Sequence, residues 1–214
     1  MFETWIGLPK SEEELQRTME AYHRLGFTGA VGSTDVTHMS WKIYPVTETR
    51  SYKGKEWFST LAYEVTVDHS IRGRTSSTVA TTRCLRGGVN PCCLCIVSAL
   101  FLRNVLEFVQ PKSPRCCVEI YEEYYVASKL VHFLWKCLMA PYEASCNEDQ
   151  LQWSKRLESV RKDVECFCGI LKGRFRILKL PLGFRDEDRI DNMFNTCCIL
   201  HNMLHVCDGL HDAY

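Results

Sequence analysis

The chain has 214 residues, with 26 Lys and Arg against 26 Asp and Glu, a length that suits one domain with its own buried core. The charge balance excludes a chain drawn to nucleic acid by its net charge, so any such attraction must come from local clusters. The longest apolar run, residues 92–102, is interrupted by Ser98 and closed by Arg103, which excludes a membrane span of about 20 residues.

Ser11 followed by Glu13 and Glu14 marks a helix start, Leu15, Met19, Tyr22 and Leu25 give that helix an apolar side, and Gly26 stops it. Residues 28–34 then read as a short buried strand that delivers Asp35 to its end. A carboxylate there suits a metal ligand, while a turn or helix-cap carboxylate is the other reading. Tyr52-Lys53-Gly54-Lys55 reads as a polar loop, with phosphate contacts as the alternative. Trp57, Ser59, Leu61, Tyr63, Val65 and Val67 alternate over eleven residues and predict a strand that ends at Asp68. Residues 75–82, rich in Ser, Thr and Val, are expected to pair with it as a hairpin through an Arg72-Gly73-Arg74 turn.

The composition changes over residues 83–117. Six of the thirteen cysteines fall there beside one acid, Glu107. The apolar run starting at Cys92 reads as a core helix reaching about Val109. Cys92 and Cys95 have C-x-x-C spacing but no second such pair, so the zinc reading is the weaker one. Met1-Phe2-Glu3-Thr4-Trp5 lacks the basic and apolar regions of a secretory leader. The thiols are therefore expected to be reduced, in nucleus or cytosol, rather than paired in disulfides.

The later chain is helical by pattern. Leu157, Val160, Val164, Phe167 or Cys168, and Leu171 recur at helical spacing as one buried stripe, with Ser154 as the expected N-terminal cap. Arg161, Glu165 and Lys172 fall beside that stripe, where an acid can point into a cleft or pair with a base four residues away. Arg161, Lys162, Lys172, Arg174, Arg176 and Lys179 form the strongest cationic cluster of the chain. It is read either as a phosphate-contacting surface or as a solvated face. Residues 178–183 lead out to a last helix over about 186–206, with Ile190, Met193, Phe194, Cys197, Cys198, Leu200 and Leu204 at core-facing positions. His201 and Asn202 on this helix are assigned a packed, structural role.

Three blocks carry a resemblance: Gly32-Ser33-Thr34-Asp35-Val36-Thr37-His38, residues 157–178, and Cys197-Cys198-Ile199-Leu200-His201-Asn202-Met203-Leu204-His205. In this order they resemble the Harbinger-type DDE transposases and their domesticated nuclease relatives. The resemblance implies a single RNase H-like α/β domain over residues 1–214, with a mixed sheet, incomplete or distorted in its middle. It implies an endonuclease that cleaves DNA phosphodiesters with divalent metal, Mg²⁺ or Mn²⁺, held by three acids. Asp35 takes the first acidic position and Glu165 the last, while Arg161, Lys172, Arg174, Arg176 and Lys179 are the residues assigned to nucleic acid. The resemblance also implies a nuclear location and a separate DNA-binding partner protein, with no membrane involvement.

The middle acid departs from the family pattern. With Trp135, Pro141 and Trp153 matched without gaps, its position falls on Lys129, and a protonated lysine cannot ligate a metal. No Asp occurs between Asp68 and Asp149, and Glu119, Glu122 and Glu123 stand on or before the expected strand rather than at its end. Two-metal chemistry needs ions about 3.5–4 Å apart and tolerates little misplacement. The expectation is an impaired nuclease, or a catalytically dead relic that at most binds nucleic acid or a protein. Because the blocks on both sides keep the pattern, residues 83–117 are read as a shifted reading frame or mis-joined exon, with a genuine Cys-rich insertion as the rival.

Overall fold

A computed structural model describes residues 5–6, 11–44, 59–79, 125–128, 138–139, 141–142 and 146–209. Lys129, the Cys-rich segment 83–117 with its expected helix and C-x-x-C pair, Trp57, Trp135 and the 52–55 loop lie outside the described residues.

The elements run in the order α1 (Glu12–Arg24), β1 (Ala30–Ser40), β2 (Thr60–Val67), β3 (Gly73–Val79), β4 (Tyr125–Ser128), β5 (Leu138–Met139), α2 (Glu148–Arg174), a 3-10 turn (Arg176–Lys179) and α3 (Glu187–Cys207). The strands form one sheet in the order β3-β2-β1-β4-β5. β1 and β3 each run antiparallel to β2, whereas β4 runs parallel to β1 and β5 parallel to β4. The protein is thus a mixed-sheet α/β fold, and its strand order is compatible with the RNase H-like architecture that the resemblance implies.

Ser11 caps α1 as expected, its hydroxyl accepting from the Glu14 amide at 3.2 Å. Leu15, Thr18 and Tyr22 are buried, but Leu25 lies at the C-cap and is exposed. Gly26 follows with φ of 91°, the left-handed geometry that glycine adopts without strain. β1 is longer than the pattern suggested. It spans eleven residues, so Asp35 stands in its middle and not at its end, because pairing with β2 continues from Ser33 to Ser40. Among the described residues, the parallel pairing with β4 reaches Thr34 opposite Ser128.

Both faces of β2 are buried over all eight residues, although its alternating sequence predicts one wet face. Several polar residues on the second face bond across the strands. The Thr34 hydroxyl donates to Glu64 Oε1 at 3.2 Å and to the Val65 carbonyl at 3.1 Å, and the Thr60 hydroxyl lies 3.3 Å from His38 Nδ1. The β2–β3 turn also differs from expectation. Gly73 and Arg74 already belong to β3, and the chain reverses at residues 68–72, where Asp68 and Arg72 exchange a backbone hydrogen bond and Ile71 takes φ of 57°.

The other face of the sheet carries the core. Met39 of β1 and Leu61, Tyr63, Val65 and Val67 of β2 pack with Val164, Phe167 and Leu171 of α2 and with Ile190, Phe194, Cys197 and Cys198 of α3. A second cluster joins Tyr22, Phe27 and Ala30 to Leu157 and Val160. The stripe expected on α2 is therefore the one it buries. Its cap is not Ser154 but Asn147, whose side chain accepts from the Asp149 amide at 2.9 Å. Ser154 lies inside the helix, donating to the Gln150 carbonyl and accepting from the Tyr142 amide, so its hydroxyl joins two segments instead of starting one.

α3 begins at Asp186 as its N-cap. Its inward face holds Ile190, Phe194, Cys197 and Cys198 but then His201, Asn202 and His205, while Leu200 and Leu204 are about two-fifths exposed at 41% and 43%. Three polar side chains displace two leucines from the core side because they find partners there. Asn202 accepts from the Gly73 amide at 3.0 Å and donates to the carbonyls of Gly73 at 2.8 Å and Trp5 at 2.7 Å. His201 Nε2 lies 3.2 Å from the Ile71 carbonyl, and burial pushes its pKa down to about 4, leaving a neutral packed imidazole. The structural role expected of both residues is the one they have.

Candidate nucleic-acid and metal site

The docking of α2 on the sheet decides what Asp35 meets. In the antiparallel ladder Asp35 is opposite Val65, Thr37 opposite Tyr63 and Met39 opposite Leu61, so all share the helix-covered face. Leu157, Val160, Val164, Phe167 and Leu171 are all at most 5% exposed. At about 1.5–3 kcal/mol for each large apolar side chain removed from water, these five outweigh any single ion pair and set the register of helix on sheet. That register brings the turn bearing Arg161 and Glu165 over Asp35.

Arg161 is 0% exposed and lies among three carboxylates. Its Nη1 donates to Glu158 Oε2 at 2.6 Å, and its Nη2 is 3.4 Å from both Asp35 Oδ2 and Glu165 Oε1. The i,i+4 pairing of Arg161 with Glu165 and the approach of Glu165 to Asp35 are one arrangement. The Asp35 and Glu165 side chains are 24% and 50% exposed, so both acids reach solvent while the guanidinium beneath them does not. Asp35 Oδ1 accepts from the Val36 amide at 2.8 Å, which orients the carboxyl.

One turn along α2, burial pushes the Cys168 thiol up to about 11 against the opposing pull of Lys172, with Asp35 and Glu165 adding to the rise. The thiol is protonated at neutral pH and makes a poor ligand or nucleophile there. Lys172 donates to the His38 carbonyl at 2.9 Å, and burial lowers its pKa. Arg174 pairs with Asp208 at 3.1 Å, and Arg176 and Lys179 are exposed on the 3-10 turn. The cationic stripe at this end of α2 thus comprises the half-buried Lys172 and the more exposed Arg174, Arg176 and Lys179. Arg161, grouped with them by sequence, stands under the acidic pair instead, since its position between Leu157 and Val164 turns it inward.

A second charged constellation escaped the sequence reading. Asp68, 0% exposed, accepts at Oδ1 from the Ser70 and Arg72 amides and at Oδ2 from the Arg72 and Arg74 guanidinium groups. Glu14 of α1 completes it, 2.8 Å from Arg74 and 3.4 Å from Arg72. Burial alone raises the Asp68 pKa, but Arg74 and then Arg72 outweigh it and hold the carboxyl below its ordinary value. Both oxygens are occupied, which makes Asp68 a structural acid. The signal was present in Asp68 followed by Arg72 and Arg74, but spacing could not supply Glu14. A cavity of about 210 Å³ opens beside the network, lined by Trp5, Glu14, Arg72, Arg74, Asn202 and Val206 among others.

The family model described as plant transposon protein matches residues 6–211. The chain belongs to that family. No curated protein and no solved structure matches it at a significant level. For a plant transposon protein, the blocks that suggested transposase ancestry fall on β1, on α2 and on α3. Two of them supply the acidic pair, and the third supplies the Asn202 and His201 contacts that tie α3 to the start of β3. Among the described residues of this plant transposon protein, no group of three or more His, Cys, Asp and Glu side chains is placed to hold a metal.

Proposed function

We propose that this plant transposon protein is a Harbinger-type DDE endonuclease domain of transposase origin, acting on DNA in the nucleus with Asp35 and Glu165 as ligands to Mg²⁺ or Mn²⁺. Cleavage is impaired because Lys129 stands where the second Asp is expected. The observation that carries this reading is the convergence of an acid from β1 and an acid from α2 on one guanidinium nitrogen, 3.4 Å from each.

The donor set fits one ion better than two. Mg²⁺ usually takes one or two carboxylates and fills its octahedron with water and substrate phosphate. Asp35 and Glu165 meet that requirement, and a second ion calls for a further acid. When bound, such an ion polarises the phosphate and lowers the pKa of its water. The chain's own residues orient the acids through the Val36 amide and Arg161, and Lys172, Arg174, Arg176 and Lys179 supply charge for the DNA backbone. A separate DNA-binding protein would choose the target sequence.

Lys129 and the absence, among the described residues, of any group of three acids, His or Cys placed to hold a metal favour a second reading, a module that binds DNA or protein and cleaves nothing. Nicking of supercoiled plasmid in Mg²⁺ and in Mn²⁺ separates the two. Slow nicking that disappears in Glu165→Gln supports the nuclease; nicking no faster than that of Glu165→Gln leaves the binding module.

A further inference from the structure

Three carboxylates surround the buried Arg161 guanidinium, and among the described residues it is the cation they share, which leaves two formal negative charges in excess at this point. The bonds are also unequal. The contact to Glu158 is short at 2.6 Å, whereas both contacts from Nη2 are 3.4 Å, beyond the usual range for N–H···O bonds. Nε is buried and makes no hydrogen bond. A guanidinium placed for its own stability would be fully satisfied, because burying one carries a large desolvation cost. Arg161 is instead anchored on Glu158 by its one short contact and stretched between the two acids.

We infer that Arg161 is the positioning residue of the acidic pair: an internal cation that draws Asp35 and Glu165 together in the metal-free chain and gives them up to a divalent ion. The exchange rests on the reading of those acids as metal ligands. Nη2 and the ion use the same two carboxylates, so their binding is antagonistic. Arg161 keeps its hold on Glu158 when the ion enters, and α2 keeps its register through the apolar stripe.

The test uses the full chain with Arg161→Met, Arg161→Lys, the double change Asp35→Asn with Glu165→Gln, and the triple combination with Arg161→Met. Urea unfolding in EDTA measures the first half. Arg161→Met lowers the midpoint with both acids present and lowers it much less once they are neutralised; additive effects overturn the inference. Mn²⁺ titration followed by electron paramagnetic resonance measures the second half. Removing the competing cation tightens Mn²⁺ binding by roughly fivefold or more, the scale of ordinary coupling between sites, with Arg161→Lys between wild type and Arg161→Met.

An unchanged or weaker Mn²⁺ affinity in folded Arg161→Met overturns the exchange, since a merely structural arginine would produce that result. If Arg161→Met does not fold, Arg161→Lys carries the Mn²⁺ titration, and the unfolding cycle is closed with Arg161→Lys combined with Asp35→Asn and Glu165→Gln. If no variant binds Mn²⁺, the proposed metal site falls, and non-additivity in the metal-free unfolding series then decides the positioning role by itself.

Discussion

Asp35 and Glu165, one in the middle of a strand and one in the middle of a helix, lie 3.4 Å from the same nitrogen of Arg161. Neither acid is buried, and the cation between them is. This inverts the usual surface ion pair, in which both partners are solvated and the pair contributes little. The helix is held by its apolar stripe, so the acids are brought together by core packing and kept together by Arg161.

The cationic stripe makes a measurable claim on DNA affinity. Neutralising Arg176 and Lys179 together is expected to weaken binding to duplex DNA with little dependence on its sequence. It should reduce the slope of log K against log salt by about 2, since each phosphate contact contributes about 0.9. Fluorescence anisotropy across a salt series reads the slope, and an unchanged slope would remove these residues from the interface.

Asp68→Asn is expected to destabilise the fold by about 3–5 kcal/mol, because it leaves Arg72 and Arg74 facing a neutral group in a buried site. The pH dependence follows from the lowered folded-state pKa. A carboxyl with a depressed pKa contributes stability that is present above its unfolded value, about 3.9, and is lost as pH falls through the folded one. Wild type should therefore lose urea resistance below about pH 4 more steeply than Asp68→Asn does.

Asp163 behaves in the opposite sense. Burial, and then the charge of Asp68, raise its pKa to about 6. Its protonated form is favoured in the folded chain, so its contribution is fully present below about pH 3.9 and is lost as pH rises through 6. The residue is only half-buried, and after discounting for solvent screening Asp163→Asn should stabilise the protein by about 1 kcal/mol at pH 8. The gain should vanish near pH 4, which urea midpoints at the two pH values would reveal.

Gly73 stands where β3 meets α2. A Cβ there would lie 2.9 Å from Cζ of Phe167, a side chain with no exposed surface. Gly73→Ala should cost about 1–3 kcal/mol through overpacking. Trimming the ring with Phe167→Leu should make the pair less damaging than the two single changes added together, as thermal melts of the four proteins would show.

Much of the helical architecture was legible because helices announce themselves locally. The Ser11 cap, the apolar stripe of α2 and the span of α3 all follow from side chains within a few turns of one another. The departures have a common origin in distant partners. Ser154 does not cap α2 because Tyr142 takes its hydroxyl. Leu200 and Leu204 face outward because Asn202 and His201 bond to the turn and start of β3. The polar face of β2 is buried because Thr34 of β1 donates to Glu64.

The site divides in the same way. The sequence by itself determined that Asp35 and Glu165 are candidate ligands, that Arg161 and Glu165 share one side of a helix, and that the basic residues beyond it form a stripe, since each depends on motif order or spacing within one element. Only the tertiary structure decided that Arg161 is buried beneath the acids, that one nitrogen serves both, and that Asp68 belongs to a separate network with Glu14. Those outcomes depend on which faces of strand and helix meet, and that is set by the summed burial of apolar side chains across the whole interface, a quantity no local pattern contains.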